Sequence, residues 1–488
     1  MLNRIPRVPL LLLVLASLAA GELHSASSGR AKPNLVFVMT DDQATWSVGA
    51  YGHPQAVTPN IDRLAREGVL LRNAFVPSPV CSASRATFLT GLYGTEVGIT
   101  DFLAGSEVAA GFGLPPQVLT WPEVLQQQGY TTGLSGKWHL GTQPQFHPTR
   151  QGFDWFFGYM GAVNVPMNPP LEENGEVRTF KGPISDILTD HAIGFVEKNR
   201  DHPFALLLHF REPHLKYTPM PEVDQKAYEG REIKGAEYPG LDQEEVNRYT
   251  REYLISVHAV DRNVGRLMAR LEELNLLENT IVVFTSDHGY MIGQHGLHSK
   301  GNAWWMFPGI PHNTKRPNMF EEAIRIPFIV RWPGRIPAGS EATEPFSSVD
   351  TFATILGLMG VPVPADSRQH GADFSPRLMG KRIPWRDVMF GQYDLISGGI
   401  AHMRMIRTSE WKMVRHYLSL ELDELYDLKN DPGEQYNLYR PQRAGKRAEG
   451  QDIEGIKAGL QKRLYAWQRE INDPLLLRMA QERDPLKR

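Results

Sequence analysis

The stretch TIVVFTSDHG, Thr280 to Gly289, runs from β-branched and apolar residues straight into an aspartate and a histidine. Ile281 to Phe284 shows no polar–apolar alternation, which predicts a strand buried on both faces, as in a mostly parallel sheet. Just upstream, Leu254, Val257, Val260, Val264, Leu267, Leu271 and Leu274 recur at steps of three and four. That stripe predicts an amphipathic helix leading into the strand. Four more runs share the strand texture: NLVFVM (Asn34–Met39), TTGLS (Thr131–Ser135), FALLLHF (Phe204–Phe210) and PFIVRW (Pro327–Trp332). TPNIDRLAREG predicts another helix, with Thr58 as cap, Pro59 in the first turn and Gly68 past the end. Helices alternating with strands predict an α/β fold, a large mostly parallel mixed sheet sandwiched by helices.

After residue 385 the texture changes. MRMIRTSEWKMVRHY and DELYDLKNDPGEQYNL predict antiparallel strands and a turn, and Ile456, Leu460, Leu464, Trp467 and Ile471 an amphipathic helix. The expected organisation is a catalytic domain over 32–385 and a smaller antiparallel-sheet subdomain with a packed helix over 386–475. The Pro/Gly-rich stretch from Gly161 to Pro183 is expected to be a long surface excursion.

With 488 residues, 41% of them hydrophobic, the chain has ample material for such a core. A net charge of -3 with both signs interspersed argues against a nucleic-acid surface or a basic membrane face. Any anion is therefore expected to be held by a local cluster. Arg4 and Arg7 precede the apolar stretch Val8–Ala20, where Ser17 and Ala19 have the spacing of a cleavage site. Residues 1–20 are thus expected to be a signal peptide and the mature protein to be secreted or periplasmic. No segment is long enough for stable membrane insertion. Cys81 is the single cysteine and can form no internal disulfide.

The chemistry gathers in the residues just after the predicted strands. Asp41 and Asp42 come after the first, Lys137 and His139 after the second, Arg211, Glu212 and His214 after the third, and Asp287 and His288 after the fourth. Ligands in open α/β sheets bind outside the carboxyl ends of the strands, so these clusters should converge on one edge. Asp41, Asp42, Asp287 and His288 form a mostly oxygen donor set, suited to Ca²⁺ or Mg²⁺, though imidazole keeps transition metals open. Taken alone, Asp41–Asp42 reads more readily as a turn cap, and the second acidic strand end moves the balance to a metal. Arg85, Lys137, His139, His214 and Lys300 supply the cationic complement that a tetrahedral oxyanion would need.

At these residues the sequence resembles the sulfatase family, within the alkaline phosphatase superfamily. PNLVFVMTDD, TPNIDRLAREGV, CSASRATFLTG, GKWHLG, DRNVGRLMARLEEL, TIVVFTSDHGYMIGQHGL, EEAIRIPFIVRWPG and YDLKNDPGEQYNL occur in the family's order. The resemblance implies that Cys81 is oxidised by a formylglycine-generating maturation enzyme. The hydrated aldehyde would then attack sulfur and release the alcohol, and proton loss would expel sulfate. It implies a metal, usually Ca²⁺, held by Asp41, Asp42, Asp287, His288 and the group derived from Cys81. Arg85 and Lys137 would steady that group, His139 would take the proton that triggers release, and His214 and Lys300 would contact sulfate and leaving group. The implied substrate is a sulfated small molecule or polysaccharide.

Two features depart from the family pattern. Ala83 stands where most members have proline, which bears on the choice of maturation enzyme. Between Lys300 and EEAIRIP lies the insertion GNAWWMFPGIPHNTKRPNMF. Its Trp304, Trp305 and Phe307 either form a sugar-stacking platform or pack the loop onto the body. Lys315 and Arg316 compete with Lys300 for the sulfate contact, and Arg211 and Glu212 are either sugar contacts or a structural pair. Competing functions are a phosphonate monoester or phosphodiester hydrolase of the same superfamily, and a binding protein in which Cys81 stays a thiol.

Overall fold

The five predicted runs are strands of one sheet in a computed structural model that describes residues 32–105, 111–162, 165–311, 314–440 and 450–476. The expected signal peptide lies outside the described residues. From edge to edge the ten strands are Ser340–Ala342, Val69–Leu71, Phe328–Arg331, Thr280–Ser286, Asn34–Thr40, Phe204–His209, Thr131–Lys137, Trp155–Tyr159, Pro170–Glu173 and Glu176–Thr179. Thr280–Ser286, Asn34–Thr40, Phe204–His209, Thr131–Lys137 and Trp155–Tyr159 are consecutive and mutually parallel, whereas Phe328–Arg331 pairs antiparallel with its neighbours.

The central strands carry apolar side chains on both faces because both faces are covered. Leu35, Phe37 and Met39 enter one core with Ile281, Val283, Ala205 and Leu207, while Val36 and Val38 enter a second with Val282, Phe284, Leu206 and Leu208. Helices Cys81–Thr90, Trp121–Gln127 and Thr351–Met359 contribute to the first core. Helices Pro59–Glu67, Ile184–Lys198 and Gln243–Glu273 contribute to the second. Each large aliphatic or aromatic side chain so buried contributes about 1.5–3 kcal/mol. The predicted stripe on Gln243–Glu273 is buried from Leu254 to Leu271, and a single turn over 277–279 links the helix to Thr280.

One local expectation changes. Thr58 occupies the cap position, but its hydroxyl accepts from the Gly49 N–H at 2.9 Å and does not cap the helix. Among its described residues, the surface excursion Gly161–Pro183 has regular structure of its own. It holds the hairpin Pro170–Glu173/Glu176–Thr179, which extends the main sheet. Asn174 and Gly175 both have positive φ, 54° and 85°, the turn that an Asn-Gly pair favours between antiparallel strands.

The C-terminal residues form an antiparallel meander, Val388–Leu395, Ala401–Thr408, Trp411–His416 and Glu424–Asp427, with the helix Ile453–Glu470 packed on it through Leu460, Leu464 and Trp467. Glu321 joins this sheet to the larger one. Its carboxylate accepts from Arg407 Nε and Nη2, both at 2.9 Å, and from Lys412 Nζ at 3.3 Å. Burial alone would raise its pKa, but Arg407 and Lys412 outweigh burial and hold it at about 2, below the ordinary 4.5. A depressed carboxyl pKa contributes stability above the unfolded value and loses it as pH falls through the folded one. Glu321→Gln should therefore cost about 3 kcal/mol at neutral pH. Urea unfolding should show the deficit shrinking as pH drops from 4.5 towards 2.

Candidate active site

Parallel register sets the site. Thr40 pairs with Ser286 and Met39 with His209, so the residues after each strand emerge side by side. The Asp287 N–H donates to Thr40 O at 3.0 Å, and the Asp42 N–H to Asp287 Oδ1 at 3.2 Å. Lys137 closes its strand, and the preceding Gly136, at φ 120°, lies so close to His209 O that a side chain there would collide. His139 and His214 come next on their loops. The clusters predicted to converge do so around a cavity of about 230 Å³, lined by Asp41, Asp42, Cys81, Lys137, His139, His214 and Lys300 among others. Asp287, His288 and Arg85 are buried and bonded to these linings.

Cys81 reaches the same point from the first residue of the helix Cys81–Thr90. Ser84 and Arg85, three and four positions on, share its helical face and anchor it to the strand end. Ser84 Oγ donates to Asp287 O, and Arg85 Nε donates to Asp287 Oδ2 at 3.0 Å. Cys81 Sγ then lies 3.5 Å from Asp41 Oδ1, 3.5 Å from His288 Nε2 and 2.9 Å from Lys300 Nζ. Burial raises the thiol pKa, yet Lys137 and Lys300 bring it down to about 6. A helix N-terminus acts in the same direction.

The buried acids are matched by cations. Lys137 Nζ lies 2.5 Å from Asp41 Oδ2, Lys300 Nζ 2.6 Å from Asp42 Oδ1, and Arg85 Nη2 3.0 Å from Asp287 Oδ2. His288 Nδ1 donates to Gly289 O at 2.9 Å, which turns Nε2 towards Asp42 Oδ1 at 3.2 Å and Asp287 Oδ1 at 3.4 Å. Burial would lower His288, but Asp287 and Asp42 raise it to about 9; burial itself raises Asp287. His288 is thus drawn towards a proton by the two carboxylates that face it. His139 is held well below its ordinary value by burial and Lys137; its Nε2 bonds Leu103 O at 3.1 Å and its Nδ1 has no hydrogen-bond partner.

A profile of the sulfatase family matches residues 33–361, and one for the C-terminal part of N-sulphoglucosamine sulphohydrolase matches 313–468. The chain is 31% identical to N-acetylglucosamine-6-O-sulfatase of Bacteroides thetaiotaomicron, over 88% of this chain and 87% of that one. It is also 31% identical to rat steryl-sulfatase, over 71% and 70% of the two chains. The chain belongs to the sulfatase family. Among solved structures, a protein in complex with its substrate D-glucosamine-2-N,6-O-disulfate superposes with a TM-score of 0.72 at 28% identity, over 91% of this chain and 99% of that one.

Sulfatases imply a metal and a formylglycine derived from cysteine, and the residues present fit both. Donor atoms of Asp41, Cys81, Asp287 and His288 all lie within 4.8 Å of one another, and all four residues are buried. The carboxylates of Asp42 and Asp287 that face His288 Nε2 are hard oxygen donors of the kind a divalent cation takes. The insertion is pinched at its base, where the Asn318 N–H donates to Gly301 O and Asn318 Nδ2 to Lys300 O, both at 2.9 Å. Lys300 therefore keeps its place at Cys81. Arg316 pairs with Glu424 at 2.9 Å instead, and Lys315 lines the cavity. Arg211 and Glu212 are buried and do not line it; Arg211 Nη2 donates to Lys216 O at 2.9 Å.

Several lining residues carry neither a charge nor a distinctive sequence pattern: Phe102, Leu215, Tyr290 and Asn302. Tyr253 also escapes the strand-end reading because it sits within the long helix. Its hydroxyl donates to Asp42 O at 2.7 Å and accepts from the Ala44 N–H at 2.9 Å, bracing the turn that presents Asp41 and Asp42. Tyr253→Phe would leave both backbone groups without this partner. It should cost about 1–3 kcal/mol in stability, read as a lowered urea midpoint with unchanged slope.

Proposed function

We propose that this sulfatase is an exported enzyme that cleaves O-sulfate esters of sugars. The observation that carries the reading is the meeting, at one sheet edge, of three carboxylates and an imidazole around Cys81, with Lys137 and Lys300 beside them. Sugar is favoured over sterol by the polar groups that share the cavity, His214, Asn302 and Lys315, since a sterol calls for a longer apolar slot. N-acetylglucosamine and N-acetylgalactosamine sulfatases stand among its relatives. Export rests on Arg4, Arg7 and the apolar stretch Val8–Ala20. No described helix is long and apolar enough to cross a membrane.

Asp41, Asp42, Asp287 and His288 would hold the metal together with the group derived from Cys81. Ca²⁺ is the first choice for three carboxylates, with Mg²⁺ or another divalent ion next. When bound, the ion supplies charge stabilisation and lowers the pKa of a hydroxyl beside it. A maturation enzyme would convert Cys81 to formylglycine, whose hydrate is the nucleophile. Every residue of Cys81–Thr90 is buried, so the thiol is most accessible before the chain has folded.

The remaining roles rest on position and charge. Arg85 cannot lose its proton and fixes Asp287 and the helix start. Lys137 and Lys300 balance Asp41 and Asp42 and offer further donors to the sulfate oxygens. His214 Nε2, 3.9 Å from Asp42 Oδ2, stands at the partly open side, where a leaving oxygen would need a proton donor. His139, neutral and with Nδ1 unbonded, is suited to accept the proton whose removal drives sulfate release.

The test compares purified, matured enzyme on 4-nitrophenyl sulfate, on sulfated monosaccharides and on a 4-nitrophenyl phosphonate ester, with sulfate release measured by ion chromatography. Sulfate esters should exceed the phosphonate in kcat/KM by at least about tenfold. Dominant phosphonate turnover would overturn the reading in favour of the phosphonate hydrolase.

A further inference from the structure

The insertion divides its aromatic residues between two faces. Trp304–Trp305 is a short strand that pairs antiparallel with Leu297–Ser299, so adjacent side chains point in opposite directions. Trp305 packs towards Phe307 and the small core around Met291, Leu297 and Phe320, while Phe307 meets Tyr238 edge to face. Trp304 turns the other way, beside His298, and lines the catalytic cavity.

Lys315 stands opposite Trp304 in an isolated antiparallel bridge, where facing side chains lie on the same side of the ribbon. Its Nζ is 5.2 Å from the centre of the Trp304 ring, and Lys315 also lines the cavity. The cations deeper in are already committed one to one: Lys137 to Asp41, Lys300 to Asp42, Arg85 to Asp287. Lys315 is additional to that balance and forms no ion pair with a carboxylate among the described residues. Asp101 is the carboxylate that acts on it, and Asp101 accepts from the backbone N–H groups of Phe102, Ile396 and Ser397. Burial and the Lys300 charge both lower the Lys315 pKa, so the ammonium is held there against two opposing costs. A partly desolvated cation facing a ligand cavity is the arrangement that recognises an anion.

We propose that Lys315 and Trp304 form a second anion subsite, so that the preferred substrate is a saccharide carrying another negative group near the ester that is cleaved. The inference rests on the sugar-sulfatase reading and narrows its substrate class. The second group is a further sulfate or a uronic carboxylate. Lys315 meets its charge, and Trp304 gives the ammonium a fixed bed and offers the sugar an apolar edge.

Binding separates this inference from the chemistry. Calorimetry on a Cys81→Ala background would measure Kd for a singly sulfated monosaccharide, its disulfated counterpart and a sulfated disaccharide containing a uronic acid. The second anionic group should tighten binding by at least about tenfold; whichever ligand shows the gain identifies its source. Adding Lys315→Met should erase the gain, and Lys315→Arg should retain it. An equal gain in the Met variant, or no gain with Lys315 intact, would overturn the subsite. Turnover of 4-nitrophenyl sulfate by protein with Cys81 intact tests the sulfatase reading separately. Its failure would leave the Kd comparison to decide the subsite.

Discussion

Three carboxylates are buried at the carboxyl ends of two adjacent strands, and the rest of the site is arranged around that concentration of charge. Asp41, Asp42 and Asp287 are each about 1% exposed or less, an arrangement too costly to stand unpaired. The Lys or Arg nearest each comes from a different element: Lys137 from a strand end, Arg85 from a helix, Lys300 from the small sheet beyond His288. Meeting the electrostatic demand therefore draws five separate parts of the chain to one point. Cys81 sits where they meet. Its lowered thiol pKa is a by-product of the same field, because the ammonium groups that match the acids also face the sulfur.

The same economy explains how the insertion is tolerated. Its ends are tied to each other by Asn318, so the added residues project from the body without shifting Lys300. Strand alternation then determines what they present, one tryptophan inward to the body and one to the cavity. Chemistry and recognition thus occupy different parts of the chain. The acid–cation cluster belongs to the edge of the main sheet, while Trp304 and Lys315 belong to the loop between Lys300 and Glu321.

Much of this was legible in the sequence, for a physical reason. Strands buried on both faces leave unalternating apolar runs, and parallel order obliges the residues after them to share an edge, so Asp41, Lys137, His214 and Asp287 could be grouped before any coordinates. Cys81, Arg85 and Lys300 come after no such run; Arg85 and Lys300 were grouped by charge and Cys81 by family resemblance, and the hydrogen bonds of Ser84 and Arg85 to Asp287 show what brings the helix there. Tyr253 was not legible, because a tyrosine on a helical stripe looks like any core aromatic. The Asn174–Gly175 hairpin was hidden by its proline- and glycine-rich surroundings, although the pair itself encodes the turn. The opposite facing of Trp304 and Trp305 needed the pairing partner of their strand, which no local pattern supplies.

The sulfur at the focus of this field is, on this account, a precursor. The direct measurement is peptide mass spectrometry across residue 81 of active enzyme, made in a host with a formylglycine-generating system and combined with trapping by a carbonyl-reactive hydrazide. An aldehyde at position 81, captured by the hydrazide in proportion to specific activity, is the predicted result. Fully active enzyme holding only an unmodified thiol at Cys81 would contradict it.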